Sequence, residues 1–212
     1  NTTGPDNVAV GKEALLDNTT GLENTAVGSR ALPNNTTANY NTSVGKDSMF
    51  YNTTGSNNTA VGRKALEDNT TASNNTAVGY LSLSANTTGA NNTAVGSNAG
   101  LAVTTGGFNT FVGGLVGDAN TVGDHNTAMG YNSLGANVVG DRIVAVGSGT
   151  LRSHAPSTNA DTYNTAVGYD AGQAVTTGIY NTLIGGLAGD ALTDADFNVA
   201  VGTFALTVDT LG

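Results

Sequence analysis

A short alternation of β-branched and small residues, NTAVG in its commonest form, recurs along the whole chain. It begins at Asn7, Asn24, Asn41, Asn58, Asn75, Asn92, Asn109, Asn126, Ile143, Asn164, Asn181 and Asn198, and ten of the eleven intervals are 17 residues. The second position is Thr in nine copies and Val in three (Val8, Val144, Val199). The fourth is Val except at Met129 and Ile184, and Gly closes all twelve. β-Branched residues two apart with a small residue between them have the period of a short strand that packs one face inward. This predicts a core row of Val27, Val44, Val61, Val78, Val95, Val112, Val146, Val167 and Val201. Gly28, Gly45, Gly62, Gly79, Gly96, Gly113, Gly147, Gly168 and Gly202 follow as turn residues, since glycine takes positive φ or lets backbones approach.

The rest of the unit, in the consensus NTTGxxNTAVGxxALxx, supplies an arm such as KEALL or RKALE and a second turn at NTTG. Four or five residues cannot sustain an isolated helix, so the arm is expected as a second short strand or an irregular segment. A fixed period makes each unit bury its apolar side on its neighbours and produces a quasi-one-dimensional array. The expected fold is all-β: a parallel β-solenoid of about twelve 17-residue coils, a rod on the order of 55 to 60 Å long. Residues 1–212 form one array, with regular coils over 1–147, a coil carrying four extra residues over 148–163, and regular coils over 164–212. Stacked Asn columns are expected to exchange amide hydrogen bonds along the rod. One Val and one Leu or Met per coil is thin filling for an interior of crystal-like density, which leads to the expectation that sister chains share an apolar axis, as a homotrimer.

A longer period lies beneath the short one. NTAVGSNAGLAVTTGGFNTFVGGLVGDA from Asn92 matches NTAVGYDAGQAVTTGIYNTLIGGLAGDA from Asn164, an offset of 72 residues. In both blocks Gly replaces the arm Leu, at Gly100, Gly117, Gly172 and Gly189. Phe111 with Leu115, and Leu183 with Leu187, are expected to restore the lost volume, with Gly114 and Gly186 making room.

Composition narrows the function classes. A net charge of -9 with seven Lys plus Arg excludes an electrostatic grip on nucleic acid or anionic lipid. No run of 18 apolar residues marks a membrane span, no signal-peptide pattern opens the chain, and the absence of Cys removes thiol chemistry. Both ends fall inside repeats without a distinctive cap, as expected of a piece of a longer chain.

His125 and His154 have no Cys, His or Glu at ligand spacing, and the carboxylates Asp118, Asp124, Asp141, Asp161, Asp170, Asp190, Asp194 and Asp196 match no calcium-loop spacing. They are expected as surface and turn residues, with no metal, no cofactor and no catalytic group. The NTT and NNT sequons (Asn1, Asn18, Asn35, Asn52, Asn69, Asn86; Asn34, Asn57, Asn74, Asn91) arise from the repeat and are assigned to turns and ladders. The aromatic column Tyr40, Phe108, Tyr163, Tyr180 and Phe197 is expected to cover a seam. The insertion SGTLRSHAPSTNADTY is the candidate recognition loop, through Arg152, His154, Asp161 and Tyr163.

The NTAVG core with its small-residue arm resembles the SVAIG-type repeats in the heads of trimeric autotransporter adhesins. The pattern NTAVGYxALxxNTTGxxNTAVG is similar to repetitive shafts of phage and bacterial tail-fibre-like proteins, many of which end in an intramolecular chaperone of the endosialidase type. The resemblance covers essentially all 212 residues. It implies a left-handed β-roll assembled as a trimer, an extracellular place on a virion or a cell surface, and a host glycan or protein as partner. The period of 17 departs from the shorter one of adhesin heads, and these residues contain no coiled-coil stalk, membrane anchor or chaperone domain, so no particular receptor carries over. Two other classes compete: a single-chain ice- or surface-binding solenoid, which requires Thr25, Thr42, Thr59, Thr76 and Thr93 to form a flat outward array, and a polysaccharide-cleaving fibre with an acid pair between subunits.

Overall fold

A computed structural model describes residues 3–209. Its strands are β1 (Val8–Val10), β2 (Thr25–Val27), β3 (Thr42–Val44), β4 (Thr59–Val61), β5 (Thr76–Val78), β6 (Thr93–Val95), β7 (Thr110–Val112), β8 (Thr127–Met129), β9 (Val144–Val146), β10 (Thr165–Val167), β11 (Thr182–Ile184) and β12 (Val199–Val201). They form one parallel sheet in chain order, and each residue pairs with its equivalent one repeat away, as in Thr59↔Thr76, Ala60↔Ala77 and Val61↔Val78. The fold is a parallel β-solenoid. Register is kept across the insertion, where Val144 pairs with Thr165, so the four extra residues leave the column as a loop.

The strand faces are reversed from the expected ones. The buried residue is the middle one: Ala26, Ala60, Ala77, Ala94, Ala128, Ala145 and Ala166 are fully enclosed, as are Ser43, Phe111 and Leu183 at the same position. Val27, Val44, Val78, Val112 and Val146 are half-buried and Val61, Val95, Val167 and Val201 exposed, so these valines lie on the outer face beside the Thr row. A period of two has two phases, and with Ala between Thr and Val both offer an apolar face. The phase is decided by the partner across the interior. Leu32, Met49, Leu66, Leu83, Leu134 and Leu151 come in from the arms and are fully buried, and Ala leaves them the space. One chain therefore encloses its own interior without sister chains. A count of valines underestimates the filling, because Ala and Asn are interior residues too.

The arms are neither strand nor helix. Arg30, Leu32, Lys64 and Leu66 are left-handed, with φ between 52° and 60°, so left-handed residues alternate along the arm and it closes the coil without helical winding. Left-handed backbone costs roughly 1–2 kcal/mol at each residue with a side chain. Burying a Leu contributes about 1.5–3 kcal/mol, and the arm backbone bonds the adjacent coils, with Leu32 N–H donating to Ser48 O at 3.0 Å and Arg30 N–H to Lys12 O at 2.8 Å. At the nine predicted turn glycines φ lies between 128° and 143°.

Two Asn columns run inside the rod and work differently. Along Asn18, Asn35, Asn52, Asn69 and Asn86 each amide donates to the Oδ1 of the preceding one, at 2.6 to 3.2 Å, as expected of a ladder. The NTAVG Asn instead staples backbone. Asn58 Oδ1 accepts the N–H of Asn75 at 2.9 Å and its Nδ2 donates to Ala72 O at 2.9 Å, and this pattern repeats on the neighbouring coils. Buried amides are stable inside because these bonds satisfy them, except at Asn86, whose Oδ1 has no partner where Val103 replaces the next Asn. Val103, Val175 and Leu192 replace ladder Asn residues, and the ninth coil breaks both columns together, with Ile143 in one and His154 in the other; that coil carries the insertion.

The volume exchange is present, but with other partners than expected. A Cβ on Gly117 would come within 2.6 Å of the Phe111 ring and one on Gly100 within 2.9 Å; Leu183 stands in the same relation to Gly172 and Gly189, both at 2.7 Å. One inward bulky side chain thus takes the space of two arm leucines. Leu115 and Leu187 are only half-buried, and a Cβ on Gly186 would meet nothing within 4 Å, so Gly114 and Gly186 do not make the room.

Candidate functional site

With the interior assigned, candidate chemistry lies on the outer rows. The first is the sheet face, where Thr and Val (or Ile, Met) alternate across each strand and repeat at every coil in register. The second is the column just before the sheet. Phe108 stacks on His125 with centroids 4.9 Å apart, Tyr163 on Tyr180 at 5.7 Å, and Tyr180 on Phe197 at 4.9 Å, all within 13° of parallel. These rings stack from coil to coil, and His125 belongs to the stack.

The four residues named for the recognition loop do not form one surface. Asp161 and Tyr163 do meet: Tyr163 Oη donates to Asp161 Oδ2 at 3.1 Å, Arg142 pairs with Asp161, and its guanidinium lies 5.9 Å from the Tyr163 ring. This cluster ties the loop back to the preceding coil, where Thr162 N–H also donates to Asp141 O at 3.1 Å. Arg152 projects elsewhere, beside Tyr131 and Tyr169. His154 is wholly buried, a correction to its assignment as a surface residue.

His154 occupies the place of a ladder Asn, yet neither ring nitrogen has a hydrogen-bond partner. Burial pushes its imidazole from the ordinary 6.5 down to about 4. The unfolded chain therefore binds this proton at higher pH than the folded one, and stability rises with pH between about 4 and 6.5. Acidification through that window is expected to cost roughly 3 kcal/mol. Burial raises the carboxyls of Asp68, Asp118 and Asp141, which oppose the effect at the acid end. His154→Leu isolates the histidine from these carboxyls, and Leu192 already occupies the same column two coils on. Followed by urea unfolding, the parent chain should lose stability relative to His154→Leu as the pH falls from 6.5 to 4. A gap between the two chains that stays constant with pH would contradict the linkage.

Several carboxylates act as backbone acceptors. Asp124 Oδ1 accepts the Gly107 N–H at 2.5 Å, Asp141 Oδ1 that of Asp124 at 2.7 Å, and Asp196 Oδ1 that of Ile179 at 2.7 Å. Asn39 and Ser73 do the same in earlier coils. Among the described residues no group of three His, Cys, Asp or Glu is placed to hold a metal ion. The sequon residues Asn18, Asn35, Asn52, Asn69 and Asn86 are buried in the ladder, Asn34 is half-buried, and Asn57, Asn74 and Asn91 are exposed; Asn1 lies outside the described residues. No helix among the described residues is long and apolar enough to cross a membrane.

Comparison with protein-family models, with curated proteins and with solved structures finds no match. The outward valine row and the surroundings of Arg152 escape sequence reasoning. The signal for the latter lies in the column after each turn glycine, where Tyr131, Ser148 and Tyr169 follow one another.

Proposed function

We propose that this chain is a structural and adhesive segment of an extracellular fibre, either a phage tail-fibre shaft or a bacterial surface adhesin head. In this reading three left-handed solenoids meet along their sheet faces. The observation that carries it is the outward apolar row: Val61 is 36% exposed, Val95 and Val167 37%, Ile184 40% and Met129 41%. An apolar stripe that continues from coil to coil is a candidate contact surface, and a repeating face suits an interface built on cyclic symmetry. The rod then acts mechanically and multivalently, holding repeated weak contacts away from the body so that avidity exceeds the affinity of one site.

Light scattering coupled to size exclusion should give about three times the chain mass of 21.0 kDa. Val61→Lys with Val95→Lys and Val167→Lys should yield a monomer that keeps its circular dichroism, because each chain fills its own interior. A monomeric parent chain would overturn the fibre reading.

A second reading, the single-chain ice- or surface-binding solenoid, is favoured by the Thr row, which shares the outer face with Val. Thermal hysteresis by a monomer, lost on replacing Thr59, Thr76 and Thr93 with Lys, would select it. Nothing in the geometry favours a polysaccharide-cleaving site.

A further inference from the structure

The rung formed by Ser148 and Gly149 is nearly empty. In the coil before it the same two positions carry Tyr131 and Asn132, and in the coil after it Tyr169 and Asp170. The result is a notch of about 250 Å³ lined by these six residues and Arg152. Its register is held by backbone bonds: Gly149 N–H donates to Tyr131 O at 3.0 Å and Asp170 N–H to Ser148 O at 2.9 Å. A Cβ at Gly149 would fall on Asp170 Oδ1. The carboxylate of Asp170 therefore leans over the empty rung.

The two tyrosines are 61% and 63% exposed and stand two coils apart, about 9.6 Å by strand spacing. A ring set midway between them lies about 4.8 Å from each wall, a spacing that a puckered, C–H-bearing ring can fill against both. Around this gap converge a carboxylate that accepts (Asp170), an amide that both donates and accepts (Asn132) and a guanidinium (Arg152) that makes no ion pair among the described residues. Two tyrosine walls with convergent polar groups of both kinds suit a polar small molecule. Vicinal hydroxyls each donate and accept, and match such a rim.

We propose that this notch binds a neutral saccharide, with one pyranose ring between Tyr131 and Tyr169 and its hydroxyls bonded to Asn132, Arg152 and Asp170. The proposal rests on the adhesive reading for its biological role, to which it gives a ligand class. The site itself lies within one chain, so a monomer would carry it, and loss of assembly would leave it intact.

The test uses glucose, galactose, mannose and N-acetylglucosamine as probes, read by saturation-transfer NMR and by quenching of tyrosine fluorescence, the chain having seven Tyr and no Trp. At least one sugar should show saturation transfer from the protein. Tyr131→Ala and Tyr169→Ala should each weaken binding at least tenfold. Ser148→Tyr should abolish it while leaving the unfolding midpoint unchanged, because Tyr already occupies this column in both neighbouring coils. No signal from any of the four sugars, or a signal unaltered in Ser148→Tyr, would overturn the proposal.

Discussion

Gly79→Ala should lower the stability of the solenoid by about 3 kcal/mol or more, from one added methyl group. Gly79 has φ +138°, and a Cβ there would lie 2.3 Å from the Gly96 carbonyl oxygen in the next coil. The penalty has two parts. The backbone sits where an L side chain is strained by roughly 1–3 kcal/mol, and relief of the clash needs a backbone shift costing a similar amount. No flexible side chain can yield, since the obstructing atoms are themselves a turn glycine's backbone. Displacing Gly96 in turn presses on Gly113, 2.1 Å from the equivalent Cβ, so the disturbance passes along the column. Gly186→Ala is the control: nothing lies within 4 Å of its Cβ, and a change within about 0.5 kcal/mol is expected. Urea unfolding followed by circular dichroism measures both. Equal midpoints for the two variants would show that the glycine row does not set the coil spacing.

Phe111→Ala should cost about 3–5 kcal/mol, the range for removing a fully buried aromatic ring. The loss falls at the upper end because Gly100 and Gly117 have no side chains to collapse into the space. Gly117→Leu alone should also destabilise, as its Cβ would lie 2.6 Å from the ring. Combined in Phe111→Ala, Gly100→Leu and Gly117→Leu, the substitutions recreate the Ala60, Ala77, Leu66 and Leu83 arrangement of regular coils. Left-handed φ is no obstacle: Gly117 has 53° and Leu66 has 52°. Most of the lost stability should return in the triple variant, giving a coupling energy of about 2 kcal/mol or more between sites that are each unfavourable singly. A triple variant as unstable as the sum of its parts would mean that the two packings are not interchangeable.

The architecture is legible because twelve copies of one unit act as an internal comparison: a Gly in the fifth position of every copy and an Asn in eleven of twelve first positions mark the turn and a stacked Asn column without any relative. What stays hidden has physical causes. Strand phase is ambiguous, since Ala60 and Val61 are both apolar and the choice depends on Leu66 arriving from across the interior. The left-handed arm is invisible because residues such as Arg30 and Leu32 carry no preference for that backbone; stacking imposes it. His154 in isolation reads as a surface histidine, and only its register with Asn137 in the ladder column puts it inside. The notch at Ser148 and Gly149 is a missing side chain between two tyrosines, which becomes a site only when coils are laid side by side.

The central claim, one continuous column of in-register coils, is tested most directly by distance. Spin labels on Ser29→Cys paired with Ser97→Cys are four coils apart, and Ser29→Cys paired with Tyr131→Cys six, in a chain with no native Cys. Pulsed dipolar measurements, on labelled chains diluted into unlabelled ones, should give narrow distributions near about 19 Å and about 29 Å, rising in proportion to the number of coils. Two similar distances, or broad distributions without that proportion, would contradict the column.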